Sequence, residues 1–206
     1  MSNKKRTERK FRKVIMPTSA HPAIRQVKRQ GNPPTIHGTK LWKSSCLLID
    51  YMSKHPPEHT DSVIDVGCGW GIGGIWAAKT FGSKVTSMDA DPNVFPYLDA
   101  VAEVNGVTTK HMVARFEKLS KAKLKKFDML IAADICFWDE LVDPVFKMVD
   151  RALNAGVKHI LISDPERPTF LEMALRCQEE FGGELFDWQA KGSINARGAI
   201  LLIENA

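Results

Sequence analysis

One junction near residue 66 decides most of the architecture. The apolar run Val63-Ile64-Asp65-Val66 passes directly into Gly67-Cys68-Gly69-Trp70-Gly71-Ile72-Gly73-Gly74, and a helical pattern follows over Gly73–Phe81. Five glycines in those eight residues let the backbone turn tightly and come close to a ligand, where a Cβ would collide. The helix that follows offers unpaired N–H groups to a carboxylate or phosphate. A strand, glycine loop and helix in this order belong to an open α/β sheet, whose ligand lies beyond the carboxyl ends of the strands.

The rest of the chain fits such a sheet. Short apolar strands are predicted at Ser62–Val66, Lys84–Met88, Lys110–Val113, Asp128–Ala132, His159–Ser163, Leu185–Gln189 and Ala199–Glu204. Helical stretches fall at Gly73–Phe81, Asn93–Asn105, Glu140–Ala155 and Thr169–Phe181, while Phe116–Lys126 reads either way. Leu41, Trp42, Leu48, Ile49 and Met52 predict one more helix ahead of the sheet. Alternation of this kind implies a mostly parallel sheet with helices on both faces. Only Ala190–Arg197 separates the last two strands, too little for a helical crossover, so they form an antiparallel pair at one edge. The expectation is a Rossmann-like, seven-stranded α/β domain over residues 37–206; 206 residues suit one such domain and not two.

Charge is divided unevenly along the chain. Ten Lys or Arg against Glu8 give the first 30 residues a net charge of +9, which leaves −4 on the remainder of a chain whose total is +5. Pro17, Pro22, Pro33 and Pro34 interrupt residues 1–36, which read as a basic, partly disordered arm with one short helix near Ile24–Arg29. Such an arm suits RNA, a ribosome or an acidic protein, or is simply a solvated tail. Cys46, Cys68, Cys136 and Cys177 form no C-x-x-C pair and the six histidines lack ligand spacing, so no metal site is expected. No apolar run approaches the ~20 residues of a membrane helix. The expected setting is a cytoplasmic monomer, with the mitochondrial matrix as the alternative.

The glycine loop alone does not choose its nucleotide, because Gly69-x-Gly71-x-x-Gly74 also satisfies the dinucleotide fingerprint. Asp65, inside the strand, is poorly placed against a pyrophosphate and suits the ammonium and waters around a methionine moiety. The seven-strand pattern also lacks a second mononucleotide half. These features predict S-adenosylmethionine, with Asp65, Gly67, Gly69 and Gly71 around it. Asp89, ending the second strand, either accepts both ribose hydroxyls or caps the helix before Pro92. Phe116 either stacks on the adenine or packs in the core.

The fourth strand delivers Ala133-Asp134-Ile135-Cys136-Phe137-Trp138 to the same edge, and the fifth delivers Ser163-Asp164-Pro165-Glu166-Arg167. Asp134, Asp139, Glu140, Asp143, Asp164 and Glu166 then crowd a rim that attracts a cationic acceptor, though Asp139 and Glu140 also suit helix caps. Asp134 is the predicted catalytic residue, orienting an amine or helping to remove its proton. Cys136 lacks an adjacent proline and sits between apolar neighbours, which favours core packing over a thiol nucleophile. Asp-Ile-Cys-Phe also departs from the Asn/Asp-Pro-Pro-Tyr pattern associated with methylation of exocyclic base amines.

Four segments, Gly38-Thr39-Lys40-Leu41-Trp42, Asp65–Gly71, Met88-Asp89-Ala90-Asp91-Pro92 and Asp134-Ile135-Cys136-Phe137, resemble the class I (seven-β-strand) methyltransferases. Within that class they resemble the lysine methyltransferases related to the electron transfer flavoprotein β-subunit enzyme, and Asp164-Pro165-Glu166-Arg167-Pro168-Thr169-Phe170 strengthens the likeness. The resemblance implies methyl transfer from S-adenosylmethionine to a lysine of a protein partner. It implies that Trp42 walls the cofactor pocket, and that Asp134 matches the acid of an Asp-x-x-Tyr motif. Phe137 stands where that motif has tyrosine, and its ring can line a channel but cannot hydrogen-bond. Asp164 and Arg167 are the further candidate substrate contacts. The alternatives are a methyltransferase for a ribosomal component, RNA or small molecule, and a nucleotide-binding regulatory module without turnover.

Overall fold

The computed structural model describes residues 7–31, 33–35 and 40–205. Gly38 and Thr39, from the first of the four resembling segments, lie outside the described residues. The chain begins with strands β1 (Glu8–Phe11) and β2 (Val14–Pro17), then helices α1 (Pro22–Arg29) and α2 (Ser44–Lys54). Next come β3 (Ser62–Val66), α3 (Ile72–Phe81), β4 (Lys84–Asp89), α4 (Phe95–Asn105) and β5 (Lys110–Val113). A short α5 (Lys121–Leu124) leads to β6 (Met129–Ala133), α6 (Val142–Leu153), β7 (His159–Asp164) and α7 (Pro168–Phe181). Strands β8 (Glu184–Ala190) and β9 (Ala196–Glu204) close the chain.

The expected sheet is present, with order β5-β4-β3-β6-β7-β9-β8. Strands β3 to β7 pair in parallel, and β9 inserts antiparallel between β7 and β8. Chain direction reverses around β3: β4 and β5 extend one way, β6 and β7 the other. The crevice between the ends of β3 and β6 is therefore the switch point at which open sheets bind ligands. Alternation along the strands divides the core into two layers. Met129 and Ile131 of β6 face the layer that holds Leu48, Ile75 and Trp76; Leu130 and Ala132 face the layer that holds Val145, Met148 and Phe170. The ambiguous stretch Phe116–Lys126 resolves into a 3₁₀ turn, Phe116–Lys118, followed by α5.

Among the described residues, 7–31 are more ordered than the expected arm. Residues 8–17 form an antiparallel hairpin, and Phe11, Val14, Met16 and Ile24 are buried in the layer shared with α2 and α3. The Asn105 side chain accepts from Ile15 N at 2.8 Å and donates to Ile15 O at 2.8 Å. Buried Asp50 of α2 pairs with Arg12 and accepts from Lys54 Nζ at 2.7 Å and Trp188 Nε1 at 3.2 Å. Helix α1 starts two residues earlier than expected because His21 Nδ1 caps Ala23 N at 3.2 Å. Strands of four residues carry too little periodicity to stand out among four cations, and the contacts that hold them lie about 40 to 90 residues away.

Candidate functional site

The glycine loop is shaped by its neighbours on both sides. Gly67, Gly69 and Gly71 all have left-handed backbones, with φ of 64°, 51° and 73°. A Cβ at Gly67 would meet Ile135 Cγ2 at 2.5 Å, so the loop lies directly against the chain leaving β6. Gly69 differs: a Cβ there meets nothing within 4 Å, and the residue lines the main cleft. Its conformation excludes other residues, while the space beside it is left for a ligand.

Two carboxylates pin this loop. Asp65 is buried and accepts from Gly74 N at 2.9 Å, which satisfies an N–H in the first turn of α3. Burial pushes the Asp65 carboxyl up to about 7, against the pull of the Gly74 N–H. Asp65 also lines an inner recess with Lys40, Trp42, Gly67, Gly69 and Ala133. Asp89 ends β4 and accepts from Gly69 N at 3.0 Å and Asp91 N at 3.0 Å. Burial raises its pKa. The helix cap before Pro92 falls to Asp91 instead, whose carboxylate accepts from Asn93 N at 2.9 Å. Asp89 is thus left facing the cleft.

That cleft has a volume of about 190 Å³ and is lined by Trp42, Met88, Asp89, Phe116, Ile135 and Phe137, among others. Phe116 packs against the core on one side and lines the cleft on the other. An open glycine backbone, a strand-end carboxylate with acceptor capacity left, and aromatic walls fit an adenosyl ligand such as S-adenosylmethionine.

A second opening of about 210 Å³ adjoins the first, lined by Trp42, Asp134, Phe137, Trp138 and Arg167. Asp134 sits at the end of β6 with φ of 65°, its N–H bonded to Ser163 O at 2.9 Å. Its carboxylate accepts from Ser44 Oγ at 3.0 Å and forms an ion pair with Arg167 Nη1. The same Nη1 reaches Asp164 Oδ2 at 2.8 Å, and Arg167 N donates to Asp164 Oδ1 at 2.8 Å. Burial pushes the Asp164 carboxyl up to about 6, opposed by Arg167. Burial alone would lower the pKa of Arg167, yet Asp134 and Asp164 hold its guanidinium above its ordinary value. Phe137 and Trp138 meet edge to face at 4.7 Å, and Trp138 is 53% exposed.

The candidate residues are thus brought together, but in a chain of command. Asp164 is fully buried and does not line the opening, which its partner Arg167 does. Asp134 already has a cationic partner. The acidic rim is thinner than expected, because Asp143 pairs with Lys147 and Arg176. Cys136 is buried and burial pushes its thiol up to about 12, consistent with core packing. Ser44 escaped the sequence reading, since nothing local links a helix-start serine to a strand end 90 residues on. Trp138 was legible as the aromatic next to Phe137. Among the described residues no group of three or more His, Cys, Asp or Glu could hold a metal ion.

Comparison with known proteins agrees with this geometry. Residues 63–156 match a family model described as a methyltransferase domain. The electron transfer flavoprotein beta subunit lysine methyltransferase of Mus musculus is 25% identical over 138 residues, covering 66% of this chain and 53% of the relative. The ribosomal protein L11 methyltransferase of Dictyoglomus turgidum is 30% identical over 135 residues, covering 65% of this chain and 40% of the relative. The chain thus spans about half the length of the curated relatives it matches. Among solved structures, the N-terminal domain of EvdMO1 with SAH bound shares the fold, with a TM-score of 0.59, 14% identity and coverage of 88% of this chain and 95% of that one. With its seven-stranded sheet, glycine loop and strand-end carboxylates, the chain has the fold of the class I S-adenosylmethionine-dependent methyltransferases, and its match to a methyltransferase domain falls within that sheet.

Proposed function

We propose that this chain methylates the ε-amine of a lysine in a protein partner. The observation that carries the reading is the second opening, where Trp42, Phe137 and Trp138 stand around Asp134 and Arg167. Aromatic walls suit the aliphatic stem of a lysine, and a carboxylate suits its head. When bound, S-adenosylmethionine supplies an electrophilic methyl group on a sulfonium. Gly67, Gly69 and Gly71 would hold it with Asp89, Asp65, Trp42 and Phe116.

The amine must arrive neutral, and at pH 7.4 only about one free lysine in a thousand is. A lone carboxylate in the opening would favour the ammonium and trap it. Asp134 already has the Arg167 guanidinium beside it, so it holds an incoming ammonium less strongly. Its remaining acceptor capacity orients the amine N–H, while the neighbouring guanidinium favours release of the proton to water. Phe137 shapes the channel without competing for that hydrogen bond. Most of the acceleration then comes from alignment.

A ribosomal acceptor is the second reading, supported by the L11 methyltransferase relatives and by the basic N-terminal residues. One experiment tests both. The protein is incubated with methyl-labelled S-adenosylmethionine and cell lysate, and the labelled material is treated with protease or RNase and then hydrolysed. Protease-sensitive label recovered as methyl-lysine is the expected result; RNase-sensitive label would overturn the lysine reading.

A further inference from the structure

The β1–β2 hairpin and α1 carry a concentration of charge that the methyl-transfer site does not use. Arg9, Lys10, Lys13, Arg25, Lys28 and Arg29 are all exposed, and among the described residues none of the six is in an ion pair. Arg12 is spent on Asp50, and Glu8 is the one acid in these elements, 3.7 Å from His21. The platform is firm, since Phe11, Val14, Met16 and Ile24 anchor it and Asn105 ties it to α4. Lys4, Lys5 and Arg6 precede it in the sequence.

We propose that the hairpin and α1 bind the phosphate backbone of RNA, with Arg25, Lys28 and Arg29 on one side of the helix. Protein interfaces need an apolar centre and are depleted in lysine. The large exposed apolar side chains among the described residues are Val113, Trp138 and Leu175, all of them elsewhere. Charge without an apolar anchor is instead how proteins contact phosphates without reading sequence. The face is also joined to the site. Arg9 shares a groove with Lys40, Trp42 and Lys43, and Trp42 lines both the cofactor cleft and the second opening. A strand held here runs beside the place where an acceptor enters. RNA rather than DNA follows from the second reading above, in which the acceptor belongs to a ribosomal particle; phosphate binding itself does not depend on that reading.

The test uses a fluorescein-labelled 20-nucleotide RNA of mixed sequence, the same DNA sequence, and poly-glutamate as competitor, with no methyl acceptor present. Six phosphate contacts on a single strand give a slope of log K against log salt of about −4. Replacing Arg25, Lys28 and Arg29 together by alanine should reduce that slope to about −2, since each phosphate contact adds about one unit or slightly less. Affinity should fall at least tenfold while S-adenosylmethionine binding, which reports the fold, stays unchanged. Absence of RNA binding at 50 mM salt, or an unaltered slope in the triple variant, overturns the proposal. So does poly-glutamate competing as well as RNA at equal charge, and tenfold tighter binding to DNA overturns the choice of RNA.

Discussion

Replacing Arg167 by methionine isolates the charge arrangement behind the second opening. In the native protein its guanidinium joins Asp134 to Asp164, and Asp164 has no exposure to water. The Asp164 carboxyl titrates near 6 instead of the ~3.9 of an unfolded chain, so the folded state holds its proton more tightly. Stability from this group is complete below about pH 4 and is lost as pH rises through about 6, a loss of about 3 kcal/mol. Without Arg167 the pKa rises further, and the loss continues through neutrality. Removing one member of a buried pair costs about 3–5 kcal/mol; the lower end applies here, because the Arg167 side chain keeps 29% of its exposure. Methionine fills most of the same volume, so little of the effect comes from packing. At pH 5 Asp164 is protonated in both proteins, and only the Asp134 pairing is lost, about 1 kcal/mol. Urea unfolding at pH 5 and pH 8 should therefore give a deficit of about 1 kcal/mol at the lower pH and about 3 kcal/mol at the higher. Equal deficits at the two pH values, or less than about 1 kcal/mol at pH 8, would refute this account of Arg167.

Two further perturbations probe the other parts. Asp89→Ala removes the acceptor that faces the cleft and also releases Gly69 N, so S-adenosylmethionine affinity should fall by at least about thirtyfold in calorimetry, or about 2 kcal/mol; unchanged affinity would mean the ligand is held elsewhere. Asn105→Ala removes both hydrogen bonds to Ile15 and should cost about 2 kcal/mol. It should also open the hairpin to trypsin at Arg12 and Lys13 before the rest of the domain, which limited proteolysis with mass spectrometry would detect.

The glycine loop, the strand count and the identity of the strand-end acids were all legible in the sequence, because each is set by local physics. Alternation fixes a strand's two faces, glycine permits φ that other residues resist, and a short connection forces an antiparallel pair. Asp65 could be placed within its strand, and Asp89 and Asp134 at strand ends, from pattern alone. Their partners could not. That Asp89 pins Gly69, that Asp91 takes the cap, and that Asp164 works through Arg167 depend on which strand lies beside which. The hairpin was hidden for the same reason: its cations dominate residues 8–17, while the residues that bury its three apolar side chains come from α2, α3 and α4. The sequence by itself thus determined the class of fold and the kind of ligand, since local chemistry carries both. The tertiary structure alone decided which charges are already answered, because a carboxylate's role depends on what faces it and on how much water remains.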